Sequence, residues 1–270
     1  MQALLDINDL TGNAVDEIWS LLESDSSSAL NGVNVAWSFE GNGIRTRTTF
    51  LQAFHDLGCR YVELPNLLKT TESVADLAGY LDPFYDIYVI RESNHQRLAQ
   101  FSAHTCKPVI NAMSSDAHPC EVLTDGYYLS KQFAVLQDVK ILLWGPPTNV
   151  FNSWHALAQV MDLNMTHYCP GNYHTDTRCV TYVDQLKGKF DVVITDAWPA
   201  AFNDSNYSLS AEHIIELGAP LLLPTPPVTV GRELVSALQD MPSFAGYRQK
   251  ALLLSVQKAI IRFCLAAKAD

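Results

Sequence analysis

The sequence is poor in basic residues and has no long apolar run. Its 18 lysines and arginines are outnumbered by 29 aspartates and glutamates among 270 residues, which gives a formal net charge of −11. A chain of this charge repels nucleic acid and anionic membranes unless basic residues cluster, and the sequence contains no basic cluster. Its apolar runs all fall short of the roughly 20 residues that a membrane-spanning helix needs. We therefore expect neither a nucleic-acid partner nor a membrane partner.

The sequence also lacks the features of export and of metal binding by cysteine. The first residues, MQALLDIND, are acidic where a signal peptide is basic. The six cysteines form neither a CxxC pair nor the Cys/His spacing of a zinc site. They are Cys59, Cys106, Cys120, Cys169, Cys179 and Cys264. We expect reduced, mostly buried thiols in a cytoplasmic protein.

Short β-rich segments alternate with amphipathic helical segments along the chain. After an opening helix that follows Asp9, strands are predicted at 33–39, 61–64, 87–90, 108–111, 139–144, 165–168, 191–194 and 221–223, and helices at 48–57, 72–81, 94–103, 119–133, 150–162 and 251–267. Such alternation predicts mostly parallel sheets with helices on both faces. Because 270 residues approach the upper size of a single core, we predict an α/β fold of two doubly wound parallel-sheet domains.

The predicted elements also indicate where ligands bind. In open parallel sheets, ligands bind beyond the carboxyl ends of the strands, where helix N-termini attract anions. We expect the first domain at 1–131, the second at 132–243, and a C-terminal segment at 244–270 whose helix returns to the first domain. We expect the active site in the cleft between the two domains.

The first strand-to-helix turn, SFEGNGIRTRT at 38–48, combines glycines with arginines. Glycines allow backbone N–H groups to approach an oxyanion, and the start of a helix adds partial positive charge. Arg45 and Arg47 supply permanent cations. The turn therefore predicts a phosphate-binding loop, and a solvated loop with two surface arginines is the alternative.

This turn resembles the phosphate loop of the aspartate/ornithine carbamoyltransferases, Phe-Glu-x-x-Ser-Thr-Arg-Thr-Arg. The matching residues are Phe39, Glu40, Arg45, Thr46 and Arg47. Further blocks follow in the family's order: Arg91 at a strand end, PVINA at 108–112, HPCEVLTD at 118–125, TNVFNS at 148–153 and TDAW at 195–198. The resemblance covers residues 4–268 and is nearer to the ornithine branch.

The resemblance implies a site for carbamoyl phosphate. In such a site Arg45 and Thr46 bind the phosphate, with the backbone of Gly43 and Ile44, and Arg91 bridges phosphate and carbonyl oxygens. His118 donates a hydrogen bond to the carbonyl oxygen and stabilises the charge that develops there. The catalytic residues would be His118, Arg91 and Arg45, and Glu121 would contact the carbamoyl amide. The alternative for His118 is a helix cap before Pro119.

The resemblance also implies an amine acceptor, a homotrimer and no cofactor. Asn149 would bind the acceptor's carboxylate and Asp196 its α-ammonium group, and the alternative is that both are turn formers. Pro224 and Thr225 would complete the acceptor site, with a cis peptide bond between Thr225 and Pro226, and the alternative is an ordinary proline-rich loop. A loop of the neighbouring subunit would contribute Lys69. The family's C-terminal arginine matches Arg248 or Lys250.

Several positions depart from the family's pattern. Gly43 and Ile44 replace a Ser-Thr pair, and Glu121 replaces the glutamine that contacts the carbamoyl amide. Ala200 replaces a serine of the ornithine branch, and Pro224 replaces its cysteine. Three hypotheses follow: a carbamoyltransferase with a non-standard amine acceptor in specialised biosynthesis, a transferase with a different carbonyl donor, and a non-catalytic binding or scaffold protein.

The remaining histidines and the tryptophans carry weaker signals. Six histidines show no metal-type clustering, and we expect most of them at the surface or on helix faces: His55, His95, His104, His155, His167 and His174. Four tryptophans are expected in the core: Trp37, Trp144, Trp154 and Trp198.

Overall fold

The computed structural model describes residues 3–23 and 29–266, which form two compact units. One unit ends at Thr124 and includes the segment from Leu252 onward, and the other is Asp125–Ala251. The strands are β1 (Ala3–Leu4), β2 (Asn34–Phe39), β3 (Arg60–Glu63), β4 (Ile87–Arg91), β5 (Val109–Met113), β6 (Ile141–Trp144), β7 (Met165–Tyr168), β8 (Val180–Val183), β9 (Val192–Asp196) and β10 (Leu221–Thr225). The helices are α1 (Gly12–Glu23), α2 (Ile44–Asp56), α3 (Val74–Leu81), α4 (His95–His104), α5 (Pro119–Gln132), α6 (Asn149–Met161), α7 (Ala211–Glu216), α8 (Gly246–Lys250) and α9 (Leu253–Ala266).

The first unit contains a parallel sheet in the order β1-β5-β4-β2-β3. Successive residues of a strand point to opposite faces, so β2 presents Ala36 to one face and Trp37 to the other. Ala36 lies in the core with residues of α3 and α4. Trp37 packs against Phe50 and Phe54 of α2, and α1 and α2 pack against α9. Helices therefore cover both faces of this sheet.

The second unit contains a parallel sheet in the order β10-β9-β6-β7-β8. Leu142 and Trp144 of β6, Val193 of β9 and Leu222 of β10 form one core with Ile214 of α7. The four tryptophans expected in the core are all buried. Two parallel sheets with flanking helices confirm the predicted fold class.

Four short elements were not predicted: β1, β8, α7 and α8. The strands β1 and β8 have two and four residues, and α7 and α8 have six and five. Segments of this length contain too few residues to show a clear period of 2 or 3.6. The last residue of the helix predicted at 251–267 lies outside the described residues.

Two of the six histidines are buried in the second unit, His155 on α6 and His167 on β7, so the expectation of a surface or helix-face position was wrong for His167. His167 Nε2 lies 2.9 Å from the Gly145 carbonyl oxygen, and His155 Nε2 lies 3.1 Å from His167 Nδ1. A carbonyl only accepts, so His167 donates to Gly145 and accepts from His155. Burial lowers the pKa of His155 to about 3 and that of His167 to about 4. The pair is therefore neutral near pH 7 and holds the turn after β6.

Acid should destabilise the second unit through this histidine pair. A histidine in the unfolded chain has a pKa near 6.5, above both folded values, so the unfolded chain binds more protons as the pH falls. The contribution of the neutral histidine pair to the free energy of unfolding is complete above about pH 6.5 and is lost progressively toward pH 3. We expect a loss of roughly 2 kcal/mol per histidine at pH 5, measured by urea unfolding at pH 7.5 and pH 5.

The control for this prediction is a variant that cannot titrate at the same position. His155→Gln retains an N–H donor for His167, so its unfolding midpoint should fall less than that of the wild type between pH 7.5 and pH 5. His104→Gln, at the exposed end of α4, should behave like the wild type. Equal acid sensitivity of His155→Gln and the wild type would show that the pair is not responsible.

The cysteines match the sequence analysis only in part. All six cysteines are free thiols, but only Cys120, Cys169 and Cys264 are buried. Within residues 3–23 and 29–266, no helix combines the length and apolarity needed to cross a bilayer. The same residues contain no cluster of three histidine, cysteine or carboxylate side chains suited to a metal ion.

Candidate functional site

The first candidate site lies at the carboxyl ends of β2, β4 and β5, which are neighbours in the first sheet. Helix α2 begins here at Ile44 after Gly43, whose left-handed backbone (φ 30°) ends the turn. The first intrahelical bond runs from Arg47 N–H to the Gly43 carbonyl. The N–H groups of Ile44, Arg45 and Thr46 therefore have no acceptor within the helix and can bind an anion.

Arg91, the last residue of β4, lies against the start of α2. Its guanidinium carbon is 5.1 Å from the centroid of the Phe39 ring, and Arg47 lies 4.8 Å from the same ring. Arg47 is paired with Glu63, whereas the side chains of Arg45 and Arg91 make no hydrogen bond to any residue that the structure describes. Burial lowers the pKa of Arg91, and the Glu40 carboxylate opposes this shift. An arginine remains charged in such a setting, so Arg91 is a half-buried cation open to a ligand.

Because Gly43 has no side chain, Arg91 can lie against the start of α2. A Cβ atom at this position would lie 2.2 Å from Cε1 of Phe39 and 2.9 Å from Nη1 of Arg91. The serine of the family pattern therefore does not fit this turn. The side chain of Ile44, at the family's threonine position, is 74% exposed, and the side chain of Thr46 is buried. This loop offers backbone N–H groups and arginines to an anion.

Restoring the family's serine should weaken anion binding rather than strengthen it. Gly43→Ser has to displace Phe39 or Arg91, so we expect the Kd for inorganic phosphate to rise by at least about tenfold. The matched control is Gly41→Ser, because Gly41 also has a positive φ of 69° but has no atom within 4 Å of an added Cβ. Titration calorimetry measures both variants. Tighter binding by Gly43→Ser would contradict the geometry of the turn.

His118 precedes α5 and is held by a rigid turn after β5. Its side chain is buried, as is that of Glu121 in the first turn of α5. The turn is closed by bonds between Ser114 and Ala117, and the Asn111 amide donates to the Leu5 carbonyl and to the Ser114 hydroxyl. Because β5 neighbours β4, this turn leaves the same edge of the sheet as Arg91. Sequence analysis did not identify Asn111 and Ser114 as supports, although Asn111 lies in β5 and Ser114 directly follows it.

Lys69 also lies at this edge, in the segment between β3 and α3. Its ammonium group is 2.5 Å from Glu92 Oε1, 3.2 Å from Glu40 Oε2 and 3.1 Å from the Ser93 hydroxyl. These carboxylates raise the pKa of Lys69, the hydrogen bond to Glu92 having the largest effect. The lysine is therefore engaged with carboxylates of its own chain.

The second candidate site lies at the carboxyl ends of β6, β9 and β10. Asp196 ends β9 and is in register with Thr225, which ends β10, and both side chains are buried. Asn149 is the first residue of α6, after Thr148, whose hydroxyl caps the helix by accepting from Phe151 N–H. Since β6 and β9 are neighbours, Asn149, Asp196 and Thr225 all lie at one edge of the second sheet. Pro224 precedes Thr225 in β10, so its side chain points to the opposite face of the sheet.

The predicted position of the cis peptide bond, Thr225–Pro226, was wrong by one residue. The cis bond lies between Pro226 and Pro227. Thr225 is still paired with Asp196 in the parallel ladder, so the chain remains extended at Thr225 and leaves the sheet after it.

A pair of charged residues that sequence analysis missed fixes the loop after Asp196. Glu233 is 1% exposed and accepts hydrogen bonds from the N–H groups of Trp198 and Thr229. Arg232 donates to the carbonyl groups of Trp198, Pro199 and Phe202. The only sequence signal was the charged pair directly after the proline-rich segment, in VGREL at 230–234.

The two C-terminal cations differ in their surroundings. Lys250 is largely buried and paired with the buried Asp125, with Nζ 2.9 and 3.2 Å from its two carboxylate oxygens. Arg248 is exposed, and its Nη2 contacts the Phe244 carbonyl at 3.4 Å. The charge of Lys250 is thus compensated inside the second unit.

Known proteins match this chain along most of its length. Residues 2–131 match the family model described as the carbamoyl-phosphate-binding domain of aspartate/ornithine carbamoyltransferases. An ornithine carbamoyltransferase of Shewanella oneidensis is 30% identical over 223 residues, which cover 73% of this chain and 74% of that protein. The chain belongs to the aspartate/ornithine carbamoyltransferase family. An ornithine carbamoyltransferase of Chlorobaculum tepidum is 26% identical over 88% of the chain and 79% of its own length.

Solved structures of this transferase family have the same fold. The ornithine carbamoyltransferase of Thermus thermophilus superposes with a TM-score of 0.89 at 24% identity, covering 98% of this chain and 99% of that one. The enzyme from Burkholderia thailandensis superposes with a TM-score of 0.87 at 22% identity, covering 99% and 100%. At these identities the match concerns the fold. The solved structures therefore support the fold, and the sequence matches carry the assignment to the family and to its ornithine branch.

Proposed function

We propose that this chain transfers the carbamoyl group of carbamoyl phosphate to the amine of an amino acid or diamino acid. The observation that carries the proposal is the anion cradle, by which we mean the N–H groups of residues 44–46, Arg45 and Arg91. Arg91 lies against the first turn of α2 and has no hydrogen-bond acceptor among the described residues. A phosphate dianion would satisfy both the arginine and the helix start. The first unit then binds the donor and the second binds the acceptor.

His118 would act on the carbonyl group of the donor. An amine that attacks this carbon drives negative charge onto the carbonyl oxygen, and a hydrogen bond from His118 stabilises that charge. The attacking amine must be neutral, and phosphate leaves from the tetrahedral intermediate with its charge held by Arg45 and Arg91. The reaction needs neither a covalent enzyme intermediate nor a cofactor.

The second unit supports an acceptor with both a carboxylate and an ammonium group. Asn149 would donate its amide N–H groups to the carboxylate, and Asp196 would accept from the ammonium group. The hydroxyl of Thr225 lies beside Asp196 and has no hydrogen-bond partner among the described residues, so it adds a polar contact. The relatives' names point to ornithine, and the departures at Ala200 and Pro224 favour a different diamino acid.

The proposal extends to assembly and location. We propose a cytoplasmic homotrimer, because all six cysteines are free and the outer strand β3 exposes about half of Tyr61 and Val62. An exposed strand edge of this kind favours contact with another chain.

The experiment that tests the proposed function measures phosphate release from carbamoyl phosphate with a panel of amines. The panel contains ornithine, putrescine, 2,3-diaminopropionate and aspartate, with acceptor-free samples as background. We expect one amino acid or diamino acid to raise phosphate release well above background. Donor binding without any acceptor-dependent release would contradict transfer to these amines.

A transferase with a different donor is the second candidate, because Glu121 is a buried carboxylate in the first turn of α5. A carboxylate accepts hydrogen bonds from an amide or amidine but adds negative charge near a dianion. Under the main proposal, Glu121→Gln should tighten carbamoyl phosphate binding. Weaker binding of carbamoyl phosphate by Glu121→Gln would favour the second candidate.

A further inference from the structure

The segment that carries Lys69 is anchored to its own unit at several points. Leu68 is buried in the core of the first unit, and Leu67 N–H donates to the Ser38 hydroxyl at the end of β2. Arg97 of α4 donates to the carbonyl groups of Leu68, Thr70 and Glu72. These bonds fix the backbone on both sides of Lys69. Moving the segment away from its own unit would break these bonds.

The carboxylates that Lys69 contacts lie next to the anion cradle. Glu40 follows Phe39, and its N–H donates to the Arg91 carbonyl at 3.1 Å. Its carboxylate accepts from the N–H and hydroxyl of Ser93. The Glu92 side chain is 3% exposed and has Lys69 and the Asn94 N–H as partners. Two carboxylates beside the cradle would repel a bound phosphate, and a buried carboxylate is costly without a cation.

We propose that Lys69 acts within its own chain as a positioning residue, neutralising Glu40 and Glu92 so that the cradle accepts a dianion. The site then needs no lysine from a neighbouring subunit. This inference rests on the proposed function for the identity of the anion. The role of Lys69 in binding a phosphate is independent of whether transfer follows.

The first test measures the Kd for carbamoyl phosphate and for inorganic phosphate by calorimetry. Lys69→Met should weaken both by about tenfold at low salt, and by less at high salt, because the lost effect is electrostatic. Lys69→Arg should remain within about threefold of the wild type. The double variant Lys69→Met/Glu92→Gln should recover most of the affinity, since it removes the charge that Lys69 compensated and keeps an acceptor for Asn94.

The matched control is Lys258→Met, which removes a lysine paired with Asp56 at the other end of α2. It should leave the Kd for phosphate unchanged. A salt-independent loss in Lys69→Met, with no recovery in the double variant, would mean that the lysine has only a structural role and would overturn the proposal.

The second test separates action within one chain from action between chains. Differently tagged Lys69→Met and Arg91→Met chains are co-expressed and purified through both tags, and activity is measured at a donor concentration below the wild-type KM. If Lys69 acts between chains, some sites combine the intact cradle of a Lys69→Met chain with the intact lysine of an Arg91→Met chain. Activity then returns. We expect no recovery, because each site then lacks one residue. Recovered activity would overturn the proposal.

Two further outcomes of this test have a definite meaning. If the tagged chains do not co-purify, Lys69 can act only within its own chain, as we infer. If the wild type shows no turnover, the transferase assignment fails, and the same co-purified hybrids are scored by phosphate-binding stoichiometry.

Discussion

Replacing His118 with alanine should lower turnover by at least about 100-fold while the protein remains folded. A hydrogen bond aimed at a developing oxyanion typically contributes 10²–10³-fold to turnover. His118 is buried after a turn that is closed by bonds of Asn111 and Ser114 to Leu5 and Ala117. Steady-state kinetics with saturating donor and acceptor measure the effect, and urea unfolding measures the stability.

The matched control for His118 is His55→Ala, because the His55 side chain is 84% exposed on α2. This control should retain wild-type turnover. The decisive comparison is between activity and stability in His118→Ala. If turnover falls only in proportion to the amount of folded protein, His118 is a helix cap and the catalytic assignment is wrong.

Replacing Arg91 with methionine should raise the KM for carbamoyl phosphate by about 100-fold or more. Arg91 is a half-buried cation whose guanidinium lies against Gly43 at the start of α2, and a charge-assisted bond to a phosphate contributes more than a neutral one. Methionine replaces the aliphatic part of the arginine side chain with an apolar chain of similar length and removes the charge. Arg91→Lys should rescue only part of the affinity, because lysine cannot bind two oxygens in one plane.

The control for Arg91 is Arg60→Met at the opposite end of the same sheet, where β3 begins. Arg60 is exposed, so its loss should leave KM within about twofold of the wild type. An Arg91→Met variant with wild-type KM would remove the arginine from the anion cradle. It would also remove the main support for a phosphate-bearing donor.

The sequence predicts the features that are local. Strands such as β2 and β6 and the helix start at Gly43 follow from periodicity and from glycine placement within a few residues. The family blocks predict which residues lie at strand ends, since parallel strands bring their carboxyl ends to one edge. The position of Arg91 at the end of β4 is predicted in this way.

The features that the sequence does not predict depend on contacts between distant residues. The binding of Trp198 by Glu233 joins residues that are 35 positions apart. The partners of Lys69 come from the ends of two different strands, β2 and β4. The burial of His155 and His167 depends on their pairing across α6 and β7. None of these contacts leaves a periodic signal, because each is set by tertiary packing.

The clash at Gly43 illustrates the same limit. The sequence shows that glycine replaces the family's serine, which suggests only a lost hydroxyl group. The structure shows that Phe39 and Arg91 occupy the space of any side chain there. In this chain, therefore, Arg91 lies closer to the helix start than a serine at position 43 would allow.

The central claim is that the carbonyl carbon of carbamoyl phosphate becomes bonded to an amine nitrogen. It is tested most directly with carbamoyl phosphate labelled with ¹³C at that carbon, incubated with the purified protein and each amine, and analysed by mass spectrometry and NMR. We predict a labelled carbamoyl–amine product that forms in the wild type and is strongly reduced in His118→Ala. Label that remains in the donor or its spontaneous breakdown products for every amine, with a folded protein that binds phosphate, would contradict transfer of the carbamoyl group.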